Sequence, residues 1–149
     1  MHFDTAYADF IVLKSGTQIL LYASSWAGAG WDVASGRVFG TISAGNWYHV
    51  ALVRSGNTFY TFLNGTLGES WVNSSSLLNP IGAIYVGSGV GSQYFDGYID
   101  EVRLRRGVAE WTSSFDPPTA PYTDPALSVG GGSTTGGGVV YLGSTLGGS

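Results

Sequence analysis

Between Asn46 and Trp71 three β-prone runs are separated by two tight-turn signals, an order that leaves a chain little choice but an antiparallel meander. In the first run Trp47, His49, Ala51 and Val53 point one way, and Tyr48, Val50, Leu52 and Arg54 the other. Ser55-Gly56-Asn57 supplies residues that tolerate positive φ. Thr58 to Leu63 is the returning strand. Asn64-Gly65 is the strongest short hairpin signal, and Thr66 to Trp71 is the partner it predicts.

The same grammar runs through the rest of the chain. Phe10 to Leu13 is closed by Lys14-Ser15-Gly16, and Gln18 to Ala23 follows as a second strand. Ser24 to Gly30 is a stretch of small residues interrupted by Trp26, and Trp31 to Gly40 alternates loosely. Ser74 to Pro80 is a loop. Ile81 to Val86 reads as a strand ending in the Gly-rich run Gly87 to Gly91. Phe95 to Leu104 is a long strand broken by Gly97, and Gly107 to Ser113 is one turn of helix. Phe115-Asp116-Pro117-Pro118 closes the compact part, because consecutive prolines cannot sit inside a ladder. Charged residues make up 11% of the chain, against about a quarter in ordinary globular domains, so the polar faces of a helical bundle are missing. The fold class is all-β, and 149 residues make one domain of it.

After Pro125 the composition changes to that of a linker, Gly130-Gly131-Gly132-Ser133-Thr134-Thr135-Gly136-Gly137-Gly138. Val139-Val140-Tyr141-Leu142 is a β-prone island within it. We therefore divide the chain into a sandwich over 1–124 and a Gly/Ser/Thr-rich tail over 125–149. The island is expected to dock as a strand on a neighbouring subunit, with the glycines as its tether.

With a net charge of −4 and 6 basic residues, the chain has no stripe of Lys and Arg to track phosphates, so nucleic acid is not an expected partner. The cluster Arg103, Arg105, Arg106 is interleaved with Asp100 and Glu101, which reads as local ion pairing. The absence of cysteine rules out disulfides and thiolate chemistry, and leans toward a bacterial or phage source. No apolar run reaches the ~18 residues of a membrane span, and Met1-His2-Phe3-Asp4 does not open like a signal peptide.

Three motifs carry a family resemblance. Gly45-Asn46-Trp47-Tyr48-His49-Val50-Ala51-Leu52-Val53-Arg54 resembles the central signature of the laminin-G-like concanavalin A superfamily, G-x-W-Y/H-H-V-A-x-V. Phe95-Asp96-Gly97-Tyr98-Ile99-Asp100-Glu101-Val102-Arg103-Leu104 is similar to its closing strand. Gly107-Val108-Ala109-Glu110-Trp111-Thr112 through Phe115-Asp116-Pro117-Pro118 is similar to an ending common in copies carried by phage and bacterial structural proteins. The resemblance covers roughly residues 17 to 122. It implies an antiparallel two-sheet jelly roll, one sheet concave and often bearing the ligand. The family's F-x-x-E-x-W strand is missing, and Met1 to Ser15 is all that stands in for the early strands. Either the sandwich is abbreviated at its N-terminus or another chain supplies strands, because open edges are normally covered.

Relatives include glycoside hydrolases, which need two carboxylates ~5–9.5 Å apart with one of raised pKa. Asp100 and Glu101 are adjacent on a strand and so face opposite ways, no E-x-D-x-E occurs, and no G-x-S-x-G marks a nucleophile. Catalytic residues are therefore not expected. His49 reads as a packed, hydrogen-bonded residue. Calcium is the cation the resemblance admits, with Asp32, Asn73, Asn79 and Asp96 as loop oxygens, although none has EF-hand spacing. Sugar binding is the sharper expectation. Trp26 and Trp31 flank Gly28-Ala29-Gly30 and could offer a ring to a pyranose beside Asp32; Tyr94, near Asp96, is the other exposed aromatic. Against this, Trp31 and Trp71 would also serve as core. The function expected is a bacteriophage virion protein (capsid decoration, fibre or tail-associated) whose lectin-like domain adsorbs to host glycans. Its partners would be copies of itself or other virion proteins. The alternative is a carbohydrate-binding module of a bacterial extracellular protein.

Overall fold

The computed structural model describes residues 10–26, 30–77, 85–88 and 94–122, together with the backbone of 138–145. The strands are β1 (Phe10–Ser15), β2 (Gln18–Ala23), β3 (Ala34–Thr41), β4 (Trp47–Ser55), β5 (Thr58–Leu63), β6 (Thr66–Val72), β7 (Tyr98–Arg106) and β8 (Gly138–Thr145). Among the described residues they form two antiparallel sheets, β1-β2-β3 and β6-β5-β4-β8-β7. The fold is the expected all-β two-layer sandwich, and the smaller sheet is the one nearer the N-terminus.

The meander forms as its turns dictate. Asn64 and Gly65 both take positive φ, 49° and 73°, the backbone of a tight hairpin turn. The Asn64 side chain also closes the start of β4, its Oδ1 accepting His49 N–H at 2.8 Å. Alternation along β4 then serves two cores. Val50 and Leu52 join Leu21, Phe39 and Phe59 between the sheets, while Ala51 and Val53 face outward with Phe62.

That outer face is roofed by the segment after β7. Trp111 and Phe115 stack at 3.7 Å, Phe115 meets Phe62 edge-on at 5.2 Å, and His49 stands edge-on to both rings of the stack. Phe115 N–H donates to Gly65 O at 2.9 Å, so the roof is latched onto the hairpin turn. A Cβ on Gly65 would lie 1.9 Å from Phe115 O, which requires glycine there. The expected helical turn over 107–113 is absent, because this stretch spends its side chains on the sheet below. Glu110 accepts from Arg105 and pairs with Arg103 at 3.7 Å. The arginines thus find Glu110, where Asp100 and Glu101 had been expected.

Glu101 sits at a bulge in β7 with φ 52°, and its carboxylate accepts Tyr122 N–H at 2.9 Å. The bulge breaks simple alternation between Asp100 and Arg103. It brings Arg103 and Arg105 onto the roofed face. The strand itself starts at Tyr98, three residues later than the sequence pattern suggests. Most of the strand expected over 81–86 lies outside the described residues.

The two sheets are clasped where β3 meets β5 and β6. Val38 lies on the edge strand of the smaller sheet, and side chains of the other sheet take up its backbone groups. Thr61 Oγ1 donates to Val38 O at 2.8 Å, and Glu69 Oε1 accepts from Val38 N–H at 2.9 Å. Thr61 Oγ1 also accepts Glu69 N–H at 2.9 Å, at the register shift between β5 and β6. Gly68 makes this approach feasible, since a Cβ would stand 2.4 Å from Phe39 O.

The segment 139–142 is a strand, but it pairs within its own chain. Gly138–Thr145 lies between β4 and β7, with Val140 opposite Leu52 and Leu104, and Leu142 opposite Val50. The expectation of a strand at 139–142 is met, with the chain's own β4 and β7 on either side of it.

Two outcomes follow. Thr61→Val should cost about 1–3 kcal/mol, because it strips partners from the part-buried Val38 carbonyl and Glu69 N–H. Denaturant titration should show a lower midpoint at unchanged slope. Burial holds the His49 imidazole below its ordinary value, so the folded state resists a proton that the unfolded chain accepts near pH 6.5. This part of the stability is complete above about pH 6.5 and is lost as pH falls through the depressed folded value. Thermal melts from pH 7.5 to 5 should show a falling Tm, and the slope should shrink in His49→Gln.

Candidate functional site

The loop from β2 to β3 is built from short polar side chains that satisfy its backbone. Ser24, buried at its root, donates its hydroxyl to Gly30 O. Ser25 N–H donates to Asp32 Oδ1 at 2.8 Å, and the Ser25 hydroxyl donates to the other carboxylate oxygen. These two bonds hold the Asp32 carboxyl below its ordinary pKa. From the larger sheet, Asn73 Nδ2 donates to Asp32 O at 3.1 Å and Trp71 Nε1 to Val33 O at 2.9 Å. The loop is therefore pinned on both sides.

Beyond the loop, β3 carries a bulge. Leu21 pairs with Arg37 and Tyr22 with Ser35, which leaves Gly36 as the extra residue, at φ 67°. The Arg37 guanidinium lies 5.0 Å from the Trp71 ring centre and pairs with Glu69 at 3.2 Å. Trp31, Asp32, Arg37 and Glu69, with residues 33–36, line an open groove of about 270 Å³. Trp31 is half-buried, tilted against Tyr22 at 5.6 Å. Trp26, on the same loop, is 58% exposed.

Of the residues singled out in the sequence, Trp31 and Asp32 share this groove, while Trp26 is not among the residues that line it. Tyr94 and Asp96 belong to a separate place. There Phe95 packs toward the core and donates its N–H to Gly87 O, leaving Tyr94, 77% exposed, and Asp96 to point outward. Trp71 stacks on Phe59 at 5.1 Å as a core residue. Arg37 and Glu69 were not anticipated. They are 32 positions apart, and their one sequence signal is that a chain poor in charge places both inside strands.

Of the described calcium candidates, Asp32 and Asn73 meet through a hydrogen bond. Both Asp32 carboxylate oxygens are taken by Ser25, and Asn73 spends its amide on Asp32 O and its Oδ1 on Ser75 N–H. Asn79 lies outside the described residues. Among the described residues no group of three acidic or histidine side chains is placed to hold a metal ion.

With two antiparallel sheets, the G-x-W-Y-H-V-A signature at β4 and its roof in place, sequence comparison decides the family. Residues 4–113 match the Concanavalin A-like lectin/glucanases superfamily. This chain belongs to that superfamily. The match starts at residue 4, ahead of the motif-based resemblance beginning near 17, so the early segment with β1 is part of the family's domain. It stops at 113, before Phe115 and well before β8. No curated protein and no solved structure matches the chain.

For the loop, Asp32→Ala should free the Ser25 amide while leaving the sheet intact. Hydrogen exchange should show Ser25 several-fold faster, with the amides of β2 unchanged.

Proposed function

We propose that this lectin-like domain is a non-enzymatic glycan-recognition module of a bacteriophage virion structural protein, a decoration, fibre or tail-associated subunit. The carrying observation is the groove, in which an aromatic face, Trp31, stands beside a fixed carboxylate, Asp32, and an Arg37–Glu69 pair. A sugar ring has one apolar face and a rim of hydroxyls. The indole offers the first a stacking surface, and the charged pair offers the second both donors and acceptors. The open shape and about 270 Å³ volume suit one ring of a longer chain.

The charges argue for binding over hydrolysis. Glycoside cleavage needs a carboxyl kept protonated by a raised pKa. Asp32 is shifted the other way by its Ser25 hydrogen bonds, and Glu69 is tied to Arg37 and to Val38 N–H. The virion setting is supported by the Gly107–Pro118 ending, which resembles that of phage and bacterial structural copies, and by a chain without cysteine.

The test is binding of the full chain to an array of bacterial surface polysaccharides, followed by titration of the best ligand. Trp31→Ala should weaken binding by about two- to tenfold, since an aromatic face contributes about 0.5–1.5 kcal/mol beyond its buried area. Trp26→Ala should weaken it less. Equal affinity in Trp31→Ala, with the fold intact by circular dichroism, would overturn the assignment of the groove.

A further inference from the structure

We propose that the gap between β4 and β7 is a strand-acceptor slot, and that the Gly138–Thr145 segment of a second copy of this chain can fill it in place of the chain's own. The inference concerns assembly and does not depend on glycan binding.

Four observations carry it. First, β8 occupies an interior position of the five-stranded sheet, hydrogen-bonded on both sides. Second, it comes from outside the family's domain, which ends at residue 113, yet it separates two strands that lie within that domain. Third, among the described residues β7 has no substantial contact with any strand other than β8. Without this strand, both β4 and β7 would turn a row of unpaired N–H and C=O groups toward each other. Such an edge is a template for an added strand. Fourth, the stretch 123–137 between the described roof and β8 is rich in glycine, and about 15 residues extend at most about 50 Å. A tether of that length lets the segment enter the slot of a copy held within its reach.

Occupation from within and from a neighbour makes the same ladder hydrogen bonds. The choice is therefore set by concentration and by the geometry of the tether, as in other strand exchanges. In a crowded assembly, where copies stand side by side, the effective concentration of neighbouring strands is high.

The absence of native cysteine allows a direct test. Trp47 lies opposite Thr145 in the ladder, and opposed positions of an antiparallel pair are within disulfide reach. Full-length Trp47→Cys and a mass-tagged full-length Thr145→Cys are unfolded together, refolded at a series of concentrations, and oxidised. The mixed disulfide should rise with concentration to several-fold above a control in which Lys14→Cys, on the other sheet, replaces Trp47→Cys. The double variant Trp47→Cys/Thr145→Cys should close within one chain at high dilution. Tyr98→Cys, on the other flank of the slot and opposite the same residue, repeats the test if Trp47→Cys fails to fold. Closure within the chain with no mixed disulfide above control at any concentration refutes exchange. No disulfide in either arm refutes the slot itself.

Discussion

The clasp at Val38 is what makes two sheets into one molecule. An edge strand has to dispose of its outward N–H and C=O groups, and β3 does so by giving both groups of Val38 to side chains of the opposite sheet, Glu69 and Thr61. Buried backbone groups left alone would cost about 1–3 kcal/mol each, so the contact fixes the approach of the sheets as well as holding them. The absence of a side chain at Gly68 lets the backbones come close enough for it. Phe39, Phe59 and Leu21 fill the space this approach defines.

The candidate site is a by-product of the same contact. Glu69 reaches Val38 N–H with one oxygen and Arg37 with the other, so the residue that seals the edge also supplies one wall of the groove. Trp71 does something similar: its ring stacks on Phe59 in the core, its Nε1 anchors Val33 in the loop, and its face receives Arg37. Substitutions at Glu69 or Trp71 would therefore disturb the fold and the wall of the groove together, whereas Trp31 lines the groove without joining the clasp.

On the far side of the larger sheet, the roof of Trp111 and Phe115 turns an otherwise solvated face into a second core. His49 is caught beneath it, near Tyr122, whose phenol is raised above its ordinary pKa chiefly by burial. The imidazole in the middle of β4 is thus part of this packing. The ring fills space edge-on to two aromatic rings and keeps a polar contact with Tyr122 at 3.2 Å.

The sequence by itself determined the local structure. The boundaries of β2 and β5, the Asn64-Gly65 turn and the two-faced pattern of β4 follow from side-chain period and from residues that tolerate positive φ, both properties of a few neighbouring positions. It also named Trp31 and Asp32, because an aromatic beside an acid in a glycine-rich loop is a local pattern. Tertiary structure alone decided who partners whom. Arg37 with Glu69, Arg103 and Arg105 with Glu110, and Thr61 with Val38 all join distant positions or depend on a bulge that resets which way a side chain points. The strand at 138–145 shows the division most plainly. Its β-propensity is written in Val139, Val140 and Tyr141, but a strand's own residues specify only that its backbone groups need partners, and the fold of the other described strands determines that β4 and β7 supply them.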